Sequence, residues 1–388
     1  MTVGVLKEQY PGETRVSLAP GHVQKLVNKG ALVKVEKGAG ELSGLSDNEY
    51  SEKGAEVVSR DDVIAGADVL LTVRFANADP ENSEKILPKM KNGSAVIGMA
   101  DPYQPNKVFE EMGKKEMTLF SMERIPRITR AQSMDALSSM ANLAGYKAAI
   151  LAADNLPKMF PMMMTAAGTI VPAKVFVLGV GVAGLQAIAT AKRLGAVVKA
   201  YDIRPEVREQ VESLGARFLE VHIENKDAEA EGGYAKEMGE EFYKKQRELM
   251  LDTIAESDAV ITTAAVPGKK APTLVTTEMV DAMKPGSVII DLAAERGGNC
   301  ELTQSGKNIK HGGVYIMGPE NIPSTLAFNA SQLYSRNISA FLLSFVEDGK
   351  LNIDSEDEVV TKTLVLKKGQ PAAPEFKQLF PNSDKEEQ

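Results

Sequence analysis

The chain has 388 residues, of which 43% are hydrophobic and 25% are charged, a composition typical of a soluble globular protein with two domains. Its formal net charge of −8 argues against nucleic acid as the main partner, and its single cysteine excludes an internal disulfide framework. The first residues lack a basic segment followed by a long apolar one, and no run reaches the roughly 18 apolar residues of a membrane span. We therefore expect no secretory signal, and we expect any link to a membrane to come through a partner.

The first 120 residues alternate short apolar runs with helical patterns, which predicts an α/β domain with a mostly parallel sheet. No glycine-rich phosphate turn occurs in this stretch of the sequence. The predicted strands are 3–6, 32–35, 69–73, 95–97 and 117–119, and the predicted helices lie near 21–28, 61–65 and 107–112.

A long helical stretch at 130–153 is predicted to carry the chain into a second domain, with strands at 259–262 and 287–291. An apolar helical stretch at 327–345 resembles a return crossover, and strand-like pieces at 350–367 would complete the first domain. The predicted fold is α/β, with two Rossmann-like domains whose mostly parallel sheets are joined by long crossover helices. The predicted divisions are a discontinuous first domain (1–138 and 326–372), a dinucleotide-binding domain (139–325) and a flexible tail (373–388).

A strand, a glycine turn, a helix and a second strand follow one another between residues 174 and 204. Gly179, Gly181 and Gly184 form the pattern G-x-G-x-x-G. The first glycine permits a tight turn, the second lets a pyrophosphate approach the backbone, and the third lets the helix pack against the strand. The helix N-terminus offers free N–H groups and a positive dipole end to phosphates. This context predicts dinucleotide binding; the alternative is a structural turn in another α/β unit.

The second strand ends in Asp202, which lies 23 residues after Gly179, close to the roughly 20-residue spacing of a ribose-binding acid. A carboxylate there accepts hydrogen bonds from both ribose hydroxyls and repels a 2′-phosphate, which favours NAD(H) over NADP(H). Arg204 follows two residues later. It is either a solvated surface cation or a group that receives such a phosphate.

Polar side chains concentrate at the start of the long helix: Arg127, Gln132, Asp135 and Ser138. The last three are spaced by three residues, so they share one helix face if the helix begins early enough. The alternative is that Thr129 or Ser133 caps the helix and the charges are simply exposed.

Histidines are scarce, and none of His22, His222 and His311 lies in a pattern typical of a general base or a metal ligand. The sequence contains no H-x-x-x-H, C-x-x-C or G-x-S-x-G, so neither metal catalysis nor acyl-enzyme chemistry is supported. Direct hydride exchange fits this scarcity, because it needs two aligned rings rather than a proton acceptor.

Residues 223–245 are acidic and contain Gly232–Gly233 ahead of Tyr234 and Met238. Such a charge run is either a solvated face or a mobile loop with a glycine hinge that closes over bound nucleotide.

Together these motifs resemble the NAD(H)-binding component (domain I, alpha subunit) of proton-translocating nicotinamide nucleotide transhydrogenase. Residues 127–135 read Arg-Ile-Thr-Arg-Ala-Gln-Ser-Met-Asp and are similar to that family's R-I-[ST]-R-A-Q-S-M-D loop. The resemblance spans about residues 5 to 330. It also includes the run before the turn (161–169), the nucleotide turn (179–196), the mobile loop (232–238) and a later strand and loop (285–293 and 297–300).

The resemblance implies a homodimeric subunit on the cytoplasmic side, peripheral to the inner (plasma) membrane through its partners. It implies an NAD(P)+ transhydrogenase of the Si-specific, proton-translocating class, active with its partner subunit. Hydride would pass from NADH to NADP+ held by a separate component, and protons would cross through a membrane-spanning component. The residues that match the family's hydride-transfer site are Arg127, Gln132, Asp135 and Ser138. The residues expected to contact NAD(H) are Gly179, Gly181, Val182, Ala183, Gly184, Asp202, Arg204, Tyr234, Thr263 and Ala264.

Alanine dehydrogenase is the alternative, because it shares much of this pattern. Arg15 matches the arginine that this family uses near the substrate carboxylate, its substrate lysine would fall near Arg74, and its late acid at Glu295. Its catalytic histidine would fall within 96–101, where there is none, so the base that amino-acid oxidation requires is missing. A third possibility is a module that holds NAD without turnover, which would have no reason to keep the polar residues 127–138 together.

Overall fold

The structure is a computed structural model that describes residues 1–220, 240–265, 268–347, 349–352 and 356–380. The strands of these ranges, in chain order, are β1 (Thr2–Val5), β2 (Leu32–Glu36), β3 (Glu56–Val58), β4 (Val69–Arg74), β5 (Ala95–Met99), β6 (Thr118–Ser121), β7 (Met163–Thr165), β8 (Gly168–Ile170), β9 (Lys174–Leu178), β10 (Val197–Tyr201), β11 (Arg217–Phe218), β12 (Ala259–Thr262), β13 (Val288–Asp291), β14 (Asn308–His311), β15 (Val314–Met317), β16 (Val346–Glu347), β17 (Lys350–Leu351), β18 (Leu364–Lys367) and β19 (Gln370–Pro371).

The α-helices of the same ranges are α1 (Pro20–Val27), α2 (Asp47–Glu52), α3 (Arg60–Gly66), α4 (Pro80–Ile86), α5 (Lys107–Lys114), α6 (Ala136–Asn155), α7 (Val182–Arg193), α8 (Arg208–Ser213), α9 (Glu240–Glu256), α10 (Thr277–Asp281), α11 (Ala327–Leu343) and α12 (Glu358–Thr363). Short 3-10 helices cover Glu41–Ser43, Ala76–Ala78, Leu87–Lys89, Met122–Arg124, Thr129–Met134, Pro205–Val207, Ala294–Arg296, Ile322–Leu326 and Pro374–Leu379. None of the described helices is long and apolar enough to cross a membrane.

The chain divides into two compact units. Unit 1 consists of Met1–Met140 and Pro323–Gln388, and unit 2 consists of Ala141–Ile322. The first division falls inside α6 and the second inside the 3-10 helix Ile322–Leu326, whereas the sequence predicted divisions at 138/139 and 325/326.

Unit 1 contains an eight-stranded sheet in the order β19-β18-β6-β5-β4-β1-β2-β3. Strands β1 to β6 are parallel to their neighbours, and β18 and β19 add an antiparallel edge beside β6. The order of the six parallel strands reverses between β1 and β4, which is the doubly wound arrangement. Strand β4 reads as a continuous apolar run because helices cover both faces of such a sheet, and Leu70, Leu71 and Val73 are fully buried.

Unit 2 contains a seven-stranded sheet in the order β11-β10-β9-β12-β13-β15-β14, in which only β14 is antiparallel among the described strands. Its central strand β9 is buried on both faces: Val175 and Val177 enter one apolar cluster, and Phe176 and Leu178 enter another. The strand order reverses between β9 and β12, and Leu178 lies beside Thr262 at the carboxyl ends of these strands. A ligand crevice is expected at that edge. The prediction of two Rossmann-like domains with mostly parallel sheets is confirmed.

Three local predictions are wrong, each for a physical reason. The helix expected over 130–153 is interrupted at Asp135, whose carboxylate accepts a hydrogen bond from the backbone N–H of Ser138 (2.8 Å) and so starts a new helix. The strand-like region 350–367 contains helix α12, because Asp357 caps it at the Val359 N–H (2.7 Å). The tail expected to be flexible from 373 forms the 3-10 helix Pro374–Leu379, whose Phe376 and Leu379 are buried in the unit 1 core.

Candidate functional site

The predicted glycine turn of unit 2 follows β9 directly. Gly179 has φ +88°, the left-handed region that favours glycine, and an added Cβ there would lie 2.9 Å from Thr263 Oγ1. Thr263, the residue after β12, donates its hydroxyl to the Gly179 carbonyl (2.8 Å) and its backbone N–H to the Leu178 carbonyl (2.8 Å). The carboxyl ends of the two central strands are therefore bonded to each other at the turn.

Two further glycines fix the helix that follows the turn. A Cβ on Gly184 would overlap the carbonyl oxygen of Gly179, so only glycine allows α7 to pack this closely on β9. A Cβ on Gly145 of α6 would overlap the carbonyl oxygen of Ala183 in the same way. The first turn of α7 is thus held from two sides. The sequence pattern predicts the close packing at Gly184 but gives no signal for Gly145.

Gly181 differs from these glycines, because an added Cβ would meet nothing within 4 Å. It lies at the N-cap of α7, and neither its φ of −81° nor its ψ of −165° demands glycine. The open space lies beside Val182, which is 40% exposed, and beside the exposed Ala183 in the first helical turn. The first N–H groups of a helix have no intrahelical acceptor, so this space fits an anionic group such as a pyrophosphate.

Asp202 follows β10 and its carboxylate is bonded on both oxygens. It accepts from the Val180 N–H (2.6 Å), from the Arg204 N–H (2.9 Å), and from Arg204 Nε (2.9 Å) and Nη2 (3.0 Å). Burial favours the neutral acid, but the hydrogen bonds from Arg204 and Val180 outweigh it and hold the pKa of Asp202 below its usual value. The Asp202 side chain is 7% exposed and that of Arg204 is 55% exposed, so the arginine covers the acid from the solvent side.

Ala264, the other residue predicted after β12, is held by Asn299 through two hydrogen bonds. The Ala264 N–H donates to Asn299 Oδ1 (3.0 Å), and Asn299 Nδ2 donates to the Ala264 carbonyl (2.8 Å). Asn299 is itself fixed by Asp291, a fully buried acid that accepts its N–H (2.7 Å). Asp291 also accepts from the Cys300 N–H, the Ala293 N–H and the hydroxyls of Thr262 and Thr303.

Sequence reasoning missed this support. The only signal was the run Gly297-Gly298-Asn299-Cys300, and it carried no assigned role. Gly298, with φ +80°, explains a portion of that run, because a Cβ there would lie 2.8 Å from Asp291 Oδ2. Tyr234 and the predicted glycine hinge at 232–233 lie outside the described residues.

In unit 1, the polar segment 127–138 has a different local structure from the one predicted. Gln132 lies on the 3-10 helix Thr129–Met134, whereas Ser138 lies in the first turn of α6. The expectation that Gln132, Asp135 and Ser138 share one helix face is therefore wrong. Asp135 and Ser138 do meet: the Ser138 hydroxyl donates to Asp135 Oδ2 (2.6 Å). The expected caps Thr129 and Ser133 do not start α6, since Asp135 does.

Arg127 and Gln132 are both exposed, and within the described residues neither side chain makes a hydrogen bond or an ion pair. The segment between them is nevertheless tied to the rest of unit 1. Arg130 forms a two-bond ion pair with Asp357 (2.7 and 2.5 Å), and the Ser133 carbonyl accepts from Asn337 Nδ2 (2.9 Å). Among the described residues, the loop thus presents two unbonded polar side chains on a fixed backbone.

The positions that match alanine dehydrogenase lie near the switch between β1 and β4 of unit 1. Arg15 is 3% exposed and pairs with Glu13 (2.6 Å), which also accepts from Arg74 Nε (3.1 Å). The Arg74 guanidinium lies 4.4 Å from the centre of the Tyr10 ring. Burial alone would raise the pKa of Glu13, but the hydrogen bonds and charge of Arg15 lower it to about 2.

No histidine lies within 96–101, where that enzyme's base would fall; the backbone N–H groups of Ala100 (2.9 Å) and Asp101 (2.5 Å) donate instead to Glu123. Glu295, the position of the late acid, accepts from the Asn321 N–H (2.6 Å). Both positions are occupied by hydrogen bonds within their own units.

The fold and the turn define a chain with two doubly wound α/β units, one of which has a dinucleotide-type glycine turn at its switch point. Residues 4–144 match the family described as Alanine dehydrogenase/PNT, N-terminal domain, and residues 148–374 match Alanine dehydrogenase/PNT, C-terminal domain. The chain belongs to the alanine dehydrogenase/PNT family.

Within that family the chain is similar to transhydrogenase subunits. It is 49% identical over 373 residues to a Rhodospirillum rubrum protein named for NAD(P) transhydrogenase subunit alpha, covering 95% of this chain and 97% of the relative. The crystal structure of transhydrogenase from Sinorhizobium meliloti is similar with a TM-score of 0.86 and 46% identity, covering 96% of this chain and 100% of the other. Alanine dehydrogenase 2 of Staphylococcus aureus is a more distant relative, 32% identical over 86% of each chain.

Proposed function

We propose that this chain is the NAD(H)-binding subunit of a proton-translocating transhydrogenase. In this proposal it binds NADH and transfers a hydride to NADP+ held on a partner component, and the transfer is coupled to proton translocation through a membrane-spanning component. The observation that carries the proposal is the glycine turn with its covering acid in a chain 49% identical to a transhydrogenase alpha-subunit protein.

The unit 2 turn supports the nucleotide-binding half of the proposal. The open space at Gly181 would admit the pyrophosphate beside the N–H groups of Val182, Ala183 and Gly184 at the start of α7. Asp202 would accept the hydroxyls of the adenosine ribose, in exchange for the bonds that it now receives from Arg204. Thr263 and Ala264 border the same edge of the sheet and would line the nucleotide.

The unit 1 loop supports the hydride-transfer half. When bound, the nicotinamide supplies the hydride, and the chain has to orient the ring and exclude water. Gln132 and Arg127 carry donors that are unbonded among the described residues, so they are available to a nucleotide or to the partner. Asp135 and Ser138 bond to each other, and we propose that this pair sets the start of α6 beneath the loop.

We further propose that two copies of the chain form a homodimer. Strands β7 and β8 form a separate hairpin whose six strand residues are all exposed. Met162 is 60% exposed, Met164 77% and Val171 62%, and the only charged residue from Met159 to Lys174 is that final lysine. An exposed apolar element of this kind marks a protein contact, and sedimentation velocity of the purified chain tests whether a second copy fills it. The proposed location is the cytoplasmic side of the inner (plasma) membrane, reached through the partner subunits.

A reconstitution assay tests the proposal. The purified chain is mixed with the NADP(H)-binding component of a transhydrogenase, and NADPH formation from NADH and NADP+ is followed. We expect transfer with the mixture and none with either protein alone. In parallel, the chain alone is assayed with NAD+ and alanine. Alanine oxidation without transhydrogenation would support the alanine dehydrogenase alternative instead.

A further inference from the structure

Two contacts over long sequence separations hold the 3-10 helix Thr129–Met134, one on each side of Gln132. Before it, Arg130 Nη1 donates to Asp357 Oδ2 (2.7 Å) and Nη2 donates to Asp357 Oδ1 (2.5 Å). After it, Asn337 Nδ2 donates to the Ser133 carbonyl (2.9 Å). Parallel hydrogen bonds between a guanidinium and a carboxylate fix orientation as well as distance.

The far ends of both contacts lie on packed helices rather than on loops. Asn337 is 4% exposed and belongs to α11, most of which is buried. Asp357 is the N-cap of α12 and accepts the Val359 N–H (2.7 Å), while Val359 and Val360 of that helix are buried. The hydrogen bonds from Arg130 keep the pKa of Asp357 below its usual value, so the pair stays charged at neutral pH.

Gln132 differs from its neighbours in having no bond of its own to hold it. Its side chain is exposed and makes no hydrogen bond within the described ranges, so its position depends on the backbone on either side. Loss of either anchor would let the amide move without any direct change at Gln132. A displacement of about 1 Å in a group that aligns reactants costs on the order of 100-fold in rate.

We infer that Asp357 is a positioning residue for hydride transfer, acting through Arg130 to hold the Gln132 loop in its working conformation. The inference rests on the proposed function. It assigns a role to a residue 227 positions away from Arg130 in the sequence, outside every motif on which the family resemblance depends.

Asp357→Asn is the variant that separates positioning from folding. Asparagine caps helices as well as aspartate, so α12 keeps its Val359 bond, but the charge and one acceptor for Arg130 are lost. Glu375→Gln is the matched control. It removes a similar ion pair, Arg124–Glu375 (3.2 Å), which also joins the C-terminal segment to the N-terminal segment of unit 1 but lies outside residues 127–135.

The first readout is hydride transfer with the partner component, beside NADH affinity and thermal stability. For Asp357→Asn we expect transfer to fall about 10- to 100-fold, while the dissociation constant for NADH and the melting temperature barely change, since exposed ion pairs contribute little to stability. Glu375→Gln should transfer at the wild-type rate. Arg130→Lys, which keeps the charge but not the planar pair, should fall between wild type and Asp357→Asn.

The second readout is hydrogen exchange in the chain without partner or nucleotide. Asp357→Asn should speed exchange at residues 129–135, and Glu375→Gln should not. The inference is overturned if Asp357→Asn transfers hydride at the wild-type rate, or if its loss follows NADH affinity or melting temperature, or if both variants lose equally. If the wild-type chain itself transfers no hydride, the proposed function fails, and accelerated exchange at 129–135 would then report loop anchoring alone.

Discussion

The guanidinium of Arg204 covers the carboxylate of Asp202, donating from Nε to Oδ1 (2.9 Å) and from Nη2 to Oδ2 (3.0 Å). Two parallel N–H donors on one carboxylate have the same pattern as the two hydroxyls of a ribose. The arginine therefore occupies the acceptor that the nucleotide would use, while a third donor, the Val180 N–H (2.6 Å), keeps the acid in place.

This arrangement predicts opposite effects of two substitutions on NADH binding. Asp202→Asn should weaken NADH by about 1–3 kcal/mol, because a hydroxyl donor is left facing an amide donor. Arg204→Gln should strengthen it slightly, by less than about 1 kcal/mol, since an exposed ion pair no longer has to be broken. Calorimetric titration of both variants measures the difference. A loss of affinity in Arg204→Gln as large as that in Asp202→Asn would make the arginine a nucleotide ligand instead of a competitor.

The same titration with NADPH tests the preference for NAD(H). We expect wild type to bind NADPH poorly, because the carboxylate of Asp202 repels a 2′-phosphate, and we expect Asp202→Asn to narrow the gap between the two nucleotides. Equal affinity of the wild-type chain for NADH and NADPH would contradict the role of Asp202.

Gly181 and Gly184 form a matched pair for testing the pyrophosphate site. An alanine at 181 meets no atom within 4 Å, so Gly181→Ala should fold normally but weaken NADH by about 1–3 kcal/mol if the pyrophosphate lies there. An alanine at 184 would overlap the Gly179 carbonyl, so Gly184→Ala should lower the melting temperature even without nucleotide. Unchanged NADH affinity in Gly181→Ala would place the phosphates elsewhere.

The sequence predicted those elements of the molecule that depend on local pattern. Strand β12 was predicted with the bounds that the structure has, and the turn from Gly179 to Gly184 was recognised from spacing alone. Residues whose role depends on distant partners were not recognised. Asp135 breaks a helical pattern because its carboxylate prefers to cap, and Phe376 looked like a polar-tail residue because the core that covers it lies far away in the sequence.

Asp357 shows the same limit in the candidate site. Its pairing with Arg130 spans 227 positions, and neither local periodicity nor a motif signals an ion pair of that kind. The predicted common face of Gln132, Asp135 and Ser138 failed because it assumed one continuous helix, whereas the chain changes from a 3-10 helix to an α-helix at Asp135.

Glu8 should make the stability of the chain depend on pH. Burial raises its pKa to about 8 from the ordinary 4.5, although the N–H groups of Val73 and Arg74 donate to it. The folded chain therefore holds a proton that the unfolded chain has released between pH 4.5 and 8, so this contribution to stability is complete below pH 4.5 and is lost as pH rises towards 8. The free energy of unfolding should fall by at most about 1.4 kcal/mol per pH unit from this group.

Glu8→Gln removes that titration and keeps an oxygen acceptor for the Val73 N–H. Denaturant unfolding between pH 5 and 8 should show a flatter dependence for this variant than for wild type, while the exposed Glu84→Gln should leave the wild-type slope unchanged. A slope in Glu8→Gln identical to wild type would assign the pH dependence to other groups.

Gln132→Asn should slow hydride transfer far more than it weakens NADH binding. The substitution keeps the amide but shortens its reach by one methylene, which misplaces a group whose role is alignment. Single-turnover transfer with the partner component and direct titration of NADH give the two quantities separately. A parallel fall in both would mean that Gln132 only binds nucleotide.

Direct hydride transfer between two nucleotides is best tested by following the hydride itself. NADH labelled with deuterium at C4 is mixed with this chain and with a partner component loaded with NADP+, and the product NADPH is analysed for label. We expect the deuterium to be recovered in NADPH without exchange into water, because direct transfer requires the two nicotinamide rings to meet in a dry interface. Loss of the label to solvent, or turnover of alanine with NAD+ by the chain alone at a rate on the order of 10 per second, would contradict the proposed function.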